Sequence, residues 1–407
     1  MATGTLDSTS ASPIVPSTVS PAVRAVTDWP QFQGNSGHTG VAGPDATLTP
    51  SALKSMKPVW YQSVDAPSEY DAPVVADGMV YSATRGGVVA FRVTDGALVW
   101  QAHLTDPISN QDAYSVTTPA VNKGVVVVAG FAYIGRRPHG LVFGVDALTG
   151  AVKWRRALPH PVFTAPTVVH DAALVMAFGG PLFKLRLGTG TLLWTADVAA
   201  GTEVAGSSAP VVDGDRVVVA VPAGPLGGVA HLTAVDLHTG ANVWAVPLCS
   251  GPSEGEDKPL VARNGVIYTG CFNGDFRAVK ARTGVTLWQT NIAPTLGYWP
   301  FVVTPTRLIA QTPRVTALDR ATGAVAWRDP PSTPVMYDVA PVVVGDTAII
   351  ADATGLTLRS VVDGSGLGRL PLGDFPGHRA VAEGHILVAV PSASSVSRTL
   401  IAFAPAR

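Results

Sequence analysis

Four ionisable residues, Asp71, Asp257, Asp338 and His378, each stand just ahead of a short apolar, β-branched run. Each would therefore be held at the end of a buried strand. Carboxyl groups with an imidazole can serve as general acid and base once burial has moved their pKa values apart. The same stretches carry rings and further polar groups: Tyr70, Thr118, Phe163, Ser208, Glu256, Lys258, Tyr298, Trp299, Tyr337 and Arg379. Convergent aromatics with a few placed charges make a small-molecule or peptide site. Polar residues ahead of strands are also ordinary wet-loop residues. One stretch, Tyr133-Ile134-Gly135-Arg136-Arg137-Pro138-His139, concentrates cations next to an aromatic ring and could overhang the same site.

Other signals read as turns. Gly364-Ser365-Gly366-Leu367-Gly368 has no following Lys-Ser/Thr and no helix, so it is not a phosphate loop. Asp213-Gly214-Asp215 and Asn273-Gly274-Asp275 are turn chemistry rather than Ca²⁺ loops. The nine histidines are scattered without zinc-ligand spacing. Cys249 and Cys271 permit one disulfide between neighbouring structural units, with two buried free thiols as the alternative.

What positions these residues is a repeat. The tail Thr-Gly-x-x-x-Trp, with minor variation, recurs at Asp95-Gly96…Trp100, Thr149-Gly150…Trp154, Thr189-Gly190…Trp194, Thr239-Gly240…Trp244, Thr283-Gly284…Trp288 and Thr322-Gly323…Trp327. A further copy, Ser365-Gly366…Leu370, replaces the indole with leucine. The period is about 45 residues, enough for four short strands with their turns, which is one propeller blade. Inside each unit an apolar run such as Pro210-Val211-Val212 precedes a turn such as Asp77-Gly78, Lys123-Gly124, Asn264-Gly265 or Glu383-Gly384. The glycine of the Thr-Gly turn supplies the positive φ a tight hairpin needs.

The predicted fold is all-β: a single eight-bladed β-propeller of four-stranded antiparallel blades. The last unit has three strands and no tail, so the segment around Trp60 is predicted to supply its outer strand, with Val59 to Gln62 beside Leu400 to Phe403. A seven-bladed ring is the alternative. Residues 1–27 are expected to be a flexible leader, 28–56 an N-terminal extension packed on the propeller, and 57–407 the propeller itself.

Composition agrees. Of 407 residues, 47% are hydrophobic and only 14% charged, with 42 Gly and 34 Pro, a chain of many short buried segments and many turns. A net charge of −1 gives no footprint for nucleic acid or an anionic membrane. No apolar run is long enough to span a bilayer. The leader resembles the spacer of exported proteins, so a secreted or cell-envelope location is expected, with a cytoplasmic one as the alternative.

The Ala-x-Asp-x-x-Thr-Gly-x-x-x-Trp pattern, complete at Ala234 to Trp244 and Ala317 to Trp327, resembles the tryptophan-docking repeat of the pyrroloquinoline-quinone-like propeller family. The opener Asp28-Trp29-Pro30-Gln31-Phe32-x-Gly34-x-x-x-His38-x-Gly40 resembles the start of many such proteins. The resemblance covers about residues 28 to 405. It implies the fold but not the activity, because the family includes quinoprotein dehydrogenases and the outer-membrane barrel-assembly propeller lipoprotein. A dehydrogenase would hold PQQ over Ca²⁺. This sequence has no Cys-Cys pair, no haem-attachment Cys-x-x-Cys-His and no long insertions to cover a quinone, so no cofactor and no metal are expected.

The function expected is an exported, monomeric propeller that binds or scaffolds a small molecule, peptide or protein partner at its central funnel and rim. The alternatives are a cofactor-free enzyme acting on a small metabolite in the funnel, and a quinone-dependent dehydrogenase.

Overall fold

The computed structural model describes residues 28–45, 47–65, 71–106, 108, 113, 115–199, 208–221, 230–248, 259–293, 297, 299–330, 339–352, 355–372, 377–391 and 397–406. They form eight antiparallel blades of four strands, with almost no helix. Seven blades run outward in chain order, from innermost strands Val74–Ala76, Ala120–Asn122, Thr167–Val169, Val211–Asp213, Leu260–Arg263, Phe301–Val303 and Val342–Val344. In the second blade the innermost strand is split, with Ser115–Val116 pairing the same neighbour. In the eighth, three C-terminal strands from Arg379–Ala382 outward are completed by the N-terminal strand Met56–Val64. Trp60 lies opposite Ala402, Tyr61 opposite Ile401 and Gln62 opposite Leu400, so the ring closes as the repeat count requires. The N-terminal strand covers the outward edge of Arg398–Pro405 that a three-stranded last blade would leave open to other chains.

Seven of the eight seams between blades are fastened by an indole. Trp100 donates its ring N–H to Ala147 O at 3.0 Å, Trp154 to Leu187 O at 2.7 Å, Trp244 to Ala281 O at 2.9 Å and Trp327 to Val361 O at 3.0 Å. Its ring lies flat on the hairpin turn of the next blade; a Cβ at Gly240, whose φ is 73°, would sit 2.8 Å from the Trp194 ring. Only glycine permits both that φ and that approach. Trp60 does the same for the first blade, donating to Val93 O at 2.8 Å.

The seam with leucine in place of tryptophan is filled differently. There a short helix, Pro50–Lys54, packs on the outer strand Gly366–Pro371. Its Leu53 is fully buried in one cluster with Leu370, Met56 and Phe403. Thr49 caps the helix, accepting the Ala52 amide at 3.2 Å.

The segment ahead of that helix lies inside the ring. Innermost strands leave one backbone edge facing the axis, and buried N–H groups there need acceptors. Residues 29–45 supply them in chain order. Val75 N–H donates to Trp29 O, Val121 to Pro30 O and Val168 to the Gln31 side chain. Val212 then donates to Ser36 O, Ala262 to Gly37 O, Val303 to Thr39 O and Val343 to Gly40 O, at 2.7–3.0 Å throughout. Asp45 then accepts from Gly384 N at 2.7 Å in the eighth blade. The segment thus winds once around the axis and touches every blade. Gly40 makes the curl possible: its φ is 68°, and a Cβ there would lie 2.3 Å from Val302 Cγ1.

Candidate functional site

The ring has two unlike faces. On one lie the tight turns between first and second strands, such as Asp77-Gly78 and Glu383-Gly384. Both central residues of these turns have positive φ, at 52° and 77° in the first and 50° and 76° in the second. The other face, the mouth, carries the residues that lead into the innermost strands and the hairpins between second and third strands. The winding segment closes the channel behind the mouth. Phe32 meets the His378 ring at 6.3 Å and the His38 ring at 5.4 Å, both edge-on, and so forms part of the funnel floor.

Of the residues picked from the sequence, Asp71, Thr118, His378 and Arg379 gather where blades 8, 1 and 2 meet. Asp71 is buried, and burial pushes its carboxyl up to about 6 against the opposing pull of Arg398 and the Thr118 amide. Thr118 in turn accepts the Ala72 amide at 2.9 Å. His378 is held neutral: burial, with the Arg379 and Arg398 charges, pulls its imidazole down to about 4. Arg379 is buried and donates to Ala340 O at 2.6 Å in the preceding blade, and burial lowers it to about 9.

Sequence reasoning missed Arg398. It reaches across the closure seam to Asp71 O at 2.5 Å, Ser82 Oγ at 2.8 Å and Ala83 O at 3.1 Å. The signal available was one arginine opening an otherwise apolar terminal strand, Thr399 to Phe403. The two arginines tie the composite eighth blade to its neighbours through main-chain carbonyls, where a charged donor makes the stronger kind of hydrogen bond.

A second sector of the mouth is aromatic. Phe163 leads into the third blade, and its ring lies 5.1 Å from Phe131 and 5.9 Å from Phe178, edge-on in both cases. Phe131 meets Tyr133 at 5.6 Å. The cation-bearing stretch picked from the sequence is the tip of the second blade's long hairpin, Val125–Ile134 and Arg137–Asp146. The hairpin is anchored just below its tip by His139 Nε2, 3.1 Å from Asp106 Oδ1, in a buried pair.

Ser208 and Trp299 face inward instead. Ser208 Oγ accepts Ala220 N at 2.9 Å, and Trp299 packs with Phe276 and Phe301 in the core. Tyr70, Glu256, Asp257, Lys258, Tyr298, Tyr337 and Asp338 lie outside the described residues, as does Cys249. Cys271 is buried, with Sγ 3.4 Å from the carbonyl of Leu248, the residue preceding Cys249.

The described residues do not fit a quinone held over Ca²⁺. A hard cation needs several oxygens on one point, and no three carboxylate, imidazole or thiol groups converge among the described residues. Asp71, the one described carboxylate of the four picked from the sequence, is buried against an arginine. The axis beneath it is filled by polypeptide. Among the described residues no helix is long and apolar enough to cross a membrane.

Comparison with known proteins gives two kinds of likeness. A sequence profile of the family described as outer membrane protein assembly factor BamB matches residues 33–137 and 85–329. BamB of Salmonella typhimurium is 26% identical over 338 residues, which is 78% of this chain and 81% of that protein. Among solved structures, quinohemoprotein alcohol dehydrogenase from Comamonas testosteroni superposes with a TM-score of 0.71 at 17% identity, covering 95% of this chain and 82% of that one. BamB from Moraxella catarrhalis superposes with a TM-score of 0.61 at 18% identity, covering 85% and 97%. At these identities the structural likeness is one of fold.

Proposed function

Because the chain belongs to the family described as outer membrane protein assembly factor BamB, we propose that it is a cell-envelope scaffold that holds a partner protein at its mouth and rim and works without a quinone. The observation that carries this reading is the channel itself. With residues 29–45 wound through it and bonded to blade after blade, the surfaces left for recognition are the mouth and the outside of the ring. The buried polar sector supports the same reading: Arg398 ties the eighth blade to the first through Asp71 O, and Arg379 ties it to the seventh through Ala340 O.

Two measurements test it. A photo-crosslinking side chain placed at Phe163, and separately at Lys123 on the opposite face, is expected to give in cells a discrete adduct to an envelope protein from Phe163 alone. Equal labelling from both faces, or none from Phe163, overturns the mouth as the binding face. Adding the quinone with Ca²⁺ to purified protein is expected to give neither a saturable absorbance change nor dye reduction. Either signal overturns the quinone-free reading.

A further inference from the structure

One blade departs from its neighbours on the mouth face. The second blade's middle strands, Val125–Ile134 and Arg137–Asp146, each have ten residues, against six in Met79–Thr84 and five in Ala172–Met176. Four extra residues per strand make the hairpin about 13 Å longer than its neighbours', and its outer part stands clear of the mouth. Its tip from Tyr133 to Pro138 is exposed throughout, with Tyr133 at 41% and Ile134 at 46%. At its foot Phe163, 52% exposed, continues the edge-to-face series into a ledge. Large rings left in water beside a rigid hairpin mark an interaction surface.

Charge says what the surface would hold. Residues 125–160 contain Arg136, Arg137, Lys153, Arg155 and Arg156 but one acid, Asp146, in a chain whose net charge is −1. Asp146 is spent on Lys153 at 3.1 Å. None of the ion pairs among the described residues involves Arg136 or Arg137. Two exposed guanidinium groups above an aromatic ledge complement carboxylates flanking an apolar anchor.

Building on the scaffold reading, we propose that this hairpin and the Phe163 ledge form the docking surface for an extended acidic segment of the partner protein. An aromatic or large aliphatic side chain of that segment would rest on Phe163 and Tyr133, with its carboxylates on Arg136 and Arg137.

The test uses the full chain and two labelled synthetic peptides, one alternating Asp and Glu with Phe and Leu, the other with Lys in place of every acid. Fluorescence anisotropy is expected to show the acidic peptide binding at least about tenfold more tightly, with an affinity that falls as salt rises. The double variant Arg136→Glu/Arg137→Glu should lose about tenfold or more and its salt dependence. Phe163→Ala should lose a similar factor and keep the salt dependence. Both sites are exposed, and unchanged melting of each variant shows that folding is intact. Equal binding of the two peptides, or variants that bind as the parent does, overturns the proposal. So does binding to phosphatidylglycerol vesicles in place of the acidic peptide.

Crosslinking from a photo-reactive side chain at Phe163, in the parent and in the Arg136→Glu/Arg137→Glu protein, separates this proposal from the reading beneath it. If the Arg136→Glu/Arg137→Glu protein still captures the same envelope partner at the parent's level, the hairpin is not the docking surface and the scaffold reading stands. If the parent captures none, the scaffold reading fails by itself.

Discussion

His38 shows how a polar residue can belong to the fold of this molecule. Thr167 donates its hydroxyl to Pro210 O at 2.6 Å, so the His38 Nε2 atom 3.2 Å away must donate to that hydroxyl, which fixes the neutral ring with its proton on Nε2. Burial pulls the imidazole down to about 3. A pKa depressed on folding gives stability that is complete above about pH 6.5 and is lost as pH falls toward about 3. At about pH 5 the loss from this one residue is about 2 kcal/mol. Denaturant titrations of the parent and of His38→Gln at about pH 7 and about pH 5 should show the gap between them narrowing by about that amount. Parallel pH dependences would show that His38 is not the buried neutral group described. His378, also depressed, is present in both proteins and drops out of the comparison. At this scale the sequence was only partly informative. It marked Asp71, His378 and Phe163 by their place ahead of apolar runs, and each lies at the mouth. It did not distinguish them from Ser208 and Trp299, which hold the same register but turn inward. A register argument places a Cα; which way the side chain points depends on packing that only three dimensions supply.

Among the elements, the helix Pro50–Lys54 replaces a lost indole. Seven seams carry a tryptophan on the following turn, and the eighth carries Leu370 with Leu53 pressed against it. Truncating Leu53 to Ala should leave a cavity at the seam between the seventh and eighth blades and cost about 2–4 kcal/mol. Leu53→Met, which conserves volume, should cost less than about 1.5 kcal/mol. Equilibrium unfolding measures both, and a Leu53→Ala variant as stable as the parent would show the helix to be an ornament on the ring. The sequence disclosed the missing tryptophan but not its substitute, because a helix of five residues has no periodicity to read. Strands were far more legible. Their turns announce themselves by Gly, Asn and Asp, and the valine runs between them allow little else.

Across the whole molecule, two devices made from the N-terminal stretch hold the ring. Met56–Val64 closes the last blade, and residues 29–45 fill the axis. Their removal should be distinguishable. A chain beginning at residue 46 keeps its closing strand, and opening the channel lets water take over the freed amide donors. It should fold with an unchanged circular dichroism spectrum and melt roughly 5–10 °C lower. A chain beginning at residue 65 leaves the last blade with an exposed apolar edge and should aggregate on expression. If both behave as the parent, neither device matters to stability. The eightfold count was readable because the repeat is regular and its two ends are complementary. The winding segment was placed on the propeller but not inside it, since nothing in Trp29 to Gly40 announces a vacant axis. Only the ring of inward-facing amides, present once the blades are assembled, calls for it.

That winding also gives the molecule a polarity. The segment begins at Asp28, beside Asp77 and Glu383 on the side of the tight turns, and the burial and like charges there raise the Asp28 carboxyl to about 6. Whatever polypeptide leads up to Asp28 is therefore joined to the back of the toroid, with the basic hairpin on the front. Held by that end to a surface, the molecule would stand with its back to the support and its aromatic ledge turned outward.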